Sequence, residues 1–157
     1  CWQGLWRQAE EESQMTTVCW DGETLAADKR ATIGGLYRTT TKIHRVGSAL
    51  IGYTGNGAQS REMLAWARGG FKKSAFPESQ WDPEKSVTLL VIRSDKVVRV
   101  YERAPFPLEY QDEQFAIGSG RDYALAAMYL GKNAREAVLV AAEFDSNTGN
   151  GVDTLTL

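Results

Sequence analysis

Short strands joined in pairs by tight turns are what most constrain the fold of this chain. "TTVCW" and "ETLAAD" flank Asp21-Gly22, a two-residue signal of the kind that closes a β-hairpin. "TTKIHRV" and "SALIGY" form a second pair, divided at Gly47-Ser48. "VTLLVI" and "KVVRVYE" form a third, around Arg93-Ser94-Asp95. Strands that arrive as hairpins build antiparallel sheets, so helices must gather on the outer faces. Neither an internal repeat nor a βαβα alternation is present.

Three helices fit between these strands. Gly55-Asn56-Gly57 is a tight turn, Asn56 can cap a helix over about residues 57–68, and Gly69-Gly70 ends it. A small-residue-rich helix is expected from Arg121 to Leu130. Asn133-Ala134-Arg135-Glu136 resembles a capping box opening a third, with Ala137, Ala141 and Phe144 on its apolar face. Residues 71–86 hold two prolines and no clean period, which reads as a surface connection. "APFPLEYQDE" reads as a loop, "QFAIGSG" as a short strand and "VDTLTL" as a closing strand. Together these predict an α+β layered sandwich.

Composition excludes several functions. The 157 residues carry a formal net charge of -2, and Lys72-Lys73 is the densest basic pair, so nothing points to nucleic acid. No apolar run approaches the ~18 residues that a membrane span needs. The cysteines, Cys1 and Cys19, form neither a disulfide framework nor a metal cluster. His44 is the single histidine, so a zinc site or a Ser-His-Asp triad lacks its parts, and His44 itself reads as a half-exposed strand residue. Residues 1–15 contain Glu10-Glu11-Glu12 and no continuous apolar core, so they do not read as a signal peptide. The cytoplasm is the expected compartment.

Two kinds of chemistry remain. Gly118-Ser119-Gly120 follows a strand and opens a helix, where a phosphate-binding turn would sit. Tyr123 stands where the third glycine of such a fingerprint belongs, which weakens that reading. The other is a nucleophile that needs no histidine: an N-terminal threonine whose own α-amine accepts the hydroxyl proton. An α-amine has a reference pKa near 7.7–8.0, and a nearby lysine ammonium favours its neutral form. Such a lysine needs a carboxylate to stay ordered. Thr16, Asp28 and Lys42 could supply this set, although spacing alone does not select them.

"TTVCWDGETLAADKRAT", "TKI", "GYTGNGA", "AIGSGRDYA" and "FDSNTG" resemble, in that order, the proteasome β-subunits, and most nearly the HslV-type peptidases of the bacterial HslUV protease. These are N-terminal nucleophile hydrolases. The resemblance runs from Thr16 to about Gly149, and it implies a four-layer αββα sandwich over residues 16–157. It also implies that Thr16 is the nucleophile and general base, that Asp28 orients Lys42, and that the Gly55 N–H stabilises the oxyanion. Lys29 is the rival lysine, but beside Asp28 it should point to the opposite strand face. Ser119, Asp145 and Thr148 match positions around the threonine amine. Tyr53 and Thr54 match the segment lining the substrate pocket, while Tyr53 is equally readable as a core aromatic.

For the whole molecule the resemblance implies a threonine endopeptidase that cleaves unfolded protein. It would work in a homo-oligomeric, stacked double ring fed by a ring ATPase. The chemistry needs no metal or other cofactor, though some relatives hold a structural cation near the loop at 145–149. Residues 71–86 stand where the family has a second long helix. Residues 1–15 read as a leader: either a propeptide or upstream sequence from a mis-set start, with Met15 as the true initiator. A non-catalytic ring-forming or interaction protein of the same fold is the alternative.

Overall fold

The computed structural model describes residues 16–84 and 87–157, so the leader reading falls outside the described residues. Over the described residues the chain is α+β, with three α-helices and three antiparallel sheets. The first sheet joins β1 (Thr17–Trp20), β2 (Thr24–Asp28), β10 (Phe115–Gly118) and β11 (Val152–Thr156) in the order β10-β1-β2-β11. The second holds β5 (Ile43–Val46), β6 (Ala49–Thr54), β7 (Thr88–Ile92), β8 (Val98–Tyr101) and β9 (Leu108–Tyr110) in chain order. A separate hairpin pairs β3 (Arg30–Ile33) with β4 (Leu36–Thr39).

Period-two alternation sorts the apolar residues into three cores. Val18, Trp20, Leu25 and Ala27 meet Ile43, Leu50, Leu90 and Ile92, so the two larger sheets pack on one another. Ile51, Tyr53, Leu89 and Val91 point the other way, against Met63, Leu64 and Trp66 of α1 (Gly57–Arg68). Cys19, Ala26 and Ala116 likewise face Ala124 and Met128 of α2 (Arg121–Tyr129) and Ala137 and Val138 of α3 (Ala134–Phe144). Each larger sheet is therefore covered on both faces, and β1, β6 and most of β2 are buried throughout. At Gly52 the two sheets leave no room for a side chain: a Cβ there would lie 2.7 Å from Val18 Cγ1. Among the described residues no helix is long and apolar enough to cross a membrane.

The helix signals are obeyed. Asn56 Oδ1 accepts from Ala58 N at 3.0 Å, and α1 ends at Arg68, before Gly69. Asn133 Oδ1 accepts from Glu136 N at 2.9 Å. Four details differ from expectation. The first hairpin is not closed by two residues: Trp20 pairs with Leu25, so three residues, 21–23, connect β1 to β2, and Thr24 pairs with Thr156 of β11 instead. Asp21 shapes the turn, accepting from the Glu23 and Thr24 amides through Oδ1 and from Ala134 N through Oδ2. Phe144 is 65% exposed rather than in the core, because this final helical residue stacks on Tyr123 of α2 instead. Residues 36–39 pair with 30–33, and 108–110 join the second sheet as an edge strand; neither was expected as a strand. Of the expected connection over 71–86, the described residues 71–84 form one, with short 3-10 turns at Lys73–Ala75 and Glu78–Trp81.

Candidate active site

Asp28 ends β2 with no solvent exposure, and both carboxylate oxygens are occupied. Oδ1 accepts from the Thr16 hydroxyl at 2.7 Å, from Lys42 Nζ at 2.8 Å and from the Thr17 amide at 3.1 Å. Oδ2 accepts from the Gly149 amide at 3.1 Å and the Arg30 amide at 3.2 Å. A buried carboxylate persists only when paired and hydrogen-bonded, and this one is both. Lys42 stands just before β5, 6% exposed. Burial lowers its pKa, and the Asp28 charge and hydrogen bond oppose that fall. Lys29, one residue on, turns away to pair with Asp153 at 3.2 Å.

A second polar cluster closes over Thr16 from the end of α3. Ser119 Oγ donates to Asp145 Oδ2 at 2.6 Å and lies 3.4 Å from the Thr16 carbonyl oxygen. Thr148 Oγ1 donates to the same Asp145 oxygen at 2.7 Å and lies 2.7 Å from Thr17 Oγ1. Gly120 N donates to the Thr16 carbonyl. The glycines flanking Ser119 are there for fit. A Cβ on Gly118 would overlap the Thr16 carbonyl, and one on Gly120 would overlap the Thr17 hydroxyl. That contact argues against the phosphate reading, because the glycines of the Gly118-Ser119-Gly120 turn are packed against the chain.

Thr16, Tyr53, Thr54 and Gly55 line one cleft of about 670 Å³. Tyr53 both lines this cleft and packs in a core. It belongs to the α1 core, its hydroxyl donates to the Thr41 carbonyl at 2.9 Å, and its ring stacks on half-buried His44. Thr54 is 3% exposed. Gly55 adopts φ +119°, and a Cβ there would lie 2.8 Å from Val87 Cγ1, so the position requires glycine. The nine expected residues are thus Thr16 and three groups around it: Asp28 with Lys42, Ser119 with Asp145 and Thr148, and the cleft residues Tyr53, Thr54 and Gly55.

Arginines 30, 38 and 61 also line this cleft, and sequence reasoning did not select them. Scattered singly, they give no patterned signal. Arg30 reaches across to the final loop: Nη1 donates to the Ser146 carbonyl at 2.6 Å and Nε to Asn150 Oδ1 at 3.1 Å, while the guanidinium lies 4.0 Å from the Tyr37 ring centroid. A Cβ on Gly149 would collide with it. A guanidinium at the 145–149 loop is a poor fit to a structural metal cation bound there, since like charges repel. Among the described residues no group of three or more His, Cys, Asp or Glu could hold a metal ion. Cys19 is inert: burial first, and Asp21 second, push its thiol far above the ordinary range.

No family model matches the chain, and no curated protein matches it. The fold is that of a solved structure, Thiobacillus denitrificans BPH in complex with epoxomicin. The two share 24% identity at a TM-score of 0.70, over 90% of this chain and 98% of that one.

Proposed function

We propose that this chain is a threonine endopeptidase of the proteasome and HslV type, built as the four-layer αββα sandwich of the N-terminal nucleophile hydrolases. The observation that carries the reading is the shared oxygen of Asp28. One buried carboxylate atom holds both the Thr16 hydroxyl and the Lys42 ammonium at the mouth of a cleft. The fold likeness to a protein in complex with epoxomicin supports it.

Once Thr16 is the first residue, its amine takes the hydroxyl proton and Oγ1 attacks the substrate carbonyl. Asp28 fixes Lys42 beside the hydroxyl, and the ammonium favours both the neutral amine and the developing alkoxide. The Gly55 N–H receives the oxyanion, a backbone role for which a side chain would only be in the way. Ser119, Asp145 and Thr148 hold the Thr16 main chain in register. The scissile C–N bond then breaks as the Thr16 ammonium returns its proton to the leaving amine. A water that gives its proton to the Thr16 amine hydrolyses the acyl ester and frees the Thr16 hydroxyl. No metal enters these steps, and Arg30 supplies positive charge at the 145–149 loop. We further infer a stacked homo-oligomeric ring in the cytoplasm, fed unfolded protein by a ring ATPase.

A second reading, a non-catalytic ring-forming or interaction protein, is favoured by one observation. In the full sequence Met15 precedes Thr16, so the Thr16 nitrogen is an amide and cannot act as a base. Intact mass decides first: a chain beginning at Thr16 supports the peptidase, and one retaining residues 1–15 supports the alternative. For the chain beginning at Thr16, peptide hydrolysis should be abolished by Thr16→Ala, and epoxomicin should add its mass to Thr16. Hydrolysis that survives Thr16→Ala overturns the mechanism.

A further inference from the structure

The cleft beside Thr16 has an unbalanced charge. Arg30, Arg38, Lys42 and Arg61 line it, and among the described residues no Asp or Glu does. Three of these cations are engaged. Lys42 is bound to Asp28, Arg30 is spread between Ser146, Asn150 and the Tyr37 ring, and Arg38 Nη1 donates to the Tyr37 carbonyl at 2.9 Å. Arg61 is different. It projects from α1, exposed, and makes no hydrogen bond or ion pair with any described residue. The adjacent acid, Glu62, is turned away, accepting from Ser79 Oγ at 2.7 Å. Arg61 shares the lining of this cleft with Tyr53 and Thr16, and its charge is, after burial and Arg68, the next cause holding the His44 pKa below the usual value.

We propose that this cleft selects an acidic substrate side chain, glutamate or aspartate, for the residue preceding the scissile bond, with Arg61 as the group that recognises it. The inference deepens the peptidase reading and rests on it. A guanidinium presents a planar fork of donors matched to a carboxylate, and its weak hydration makes the exchange of water for carboxylate inexpensive. Arg38 at the rim adds a second positive charge, and a concave wall focuses that field on an entering anion. A lysine side chain entering the same space would meet only like charge.

The test uses residues 16–157, which contain all three cores, expressed so that Met15 is the initiator and is removed. Three fluorogenic peptides differing only in glutamate, leucine or lysine before the scissile bond are compared by kcat/KM. The glutamate peptide is expected to exceed the lysine peptide by about tenfold or more, and the margin should shrink as salt rises. Arg61→Glu should invert the order of glutamate and lysine, and Arg61→Ala should bring the two rates together. Near-ultraviolet circular dichroism of each variant, unchanged from the parent, confirms that the Tyr53 wall is intact. Cleavage without a glutamate preference, or a preference that Arg61→Glu leaves in place, overturns the specificity and leaves the peptidase reading standing. No cleavage of any peptide by a protein whose first residue is verified as Thr16 overturns both.

Discussion

The two sides of Thr16 are built on opposite principles. On the Asp28 and Asp145 side every acceptor that matters is filled: five donors converge on Asp28, and Ser119 and Thr148 share one oxygen of Asp145. On the cleft side Gly55 is half-buried, and Arg38 and Arg61 are exposed. A saturated polar network fixes geometry at the cost of desolvation, and it is destroyed by losing one member. An exposed cation fixes little and remains free to meet a ligand. The saturated side holds Thr16 still, and the open side meets whatever enters.

That contrast can be broken at its strongest point first. Asp28→Asn should leave the Lys42 ammonium without its carboxylate and lower unfolding free energy by about 3–5 kcal/mol, read by urea denaturation, with loss of hydrolysis. A stability within error of the parent chain would mean that the network is not the anchor described here. Gly120→Ala should cost about 1–3 kcal/mol, because the new methyl must displace the Thr17 and Thr148 hydroxyls. A neutral result would show that the closed side can give way.

The open side should respond in charge rather than in stability. His44 is held below its ordinary pKa by burial, then by Arg68, then by Arg61. Its unfolded form therefore binds protons first as pH falls, and His44 draws stability down from about pH 6.5 to its folded value. Arg61→Glu should raise the folded pKa, measured by NMR titration, and so soften that loss; an unmoved titration would place Arg61 away from the Tyr53 wall. The smallest effect belongs to Arg61→Ala, which should change unfolding free energy by no more than about 0.5 kcal/mol.

Legibility in the sequence followed the same division. Asn56, Gly69 and Asn133 act within a few residues of themselves, so α1 was readable to the residue and α3 at its start. Local pattern failed where partners are distant. Arg30–Ile33 and Leu36–Thr39 form an exposed hairpin around Gly34-Gly35, a turn signal that was present but lacked a buried face to reinforce it. Phe144 fell on an apolar stripe by spacing and yet lies outside the core, because spacing does not say where the covering sheet ends. Thr16, Asp28 and Lys42 came from an ordered family resemblance, since threonine, aspartate and lysine carry no signal of their own at intervals of 12 and 14 residues. The arginines of the cleft were invisible for the same reason.

By itself the sequence determined the strand pairs, the helix starts and the exclusion of histidine- and cysteine-based chemistry, all of which depend on residue type and near neighbours. Only the tertiary structure decided that β1, β2 and β5 bring Thr16, Asp28 and Lys42 to one carboxylate oxygen. It also packed the glycines of Gly118-Ser119-Gly120 against Thr16 and Thr17, and left Arg61 facing the cleft without a partner among the described residues. The physical reason is range. Capping and turn preferences act over a few bonds, whereas burial and the desolvation of charge are set by whatever segments the sheets press together.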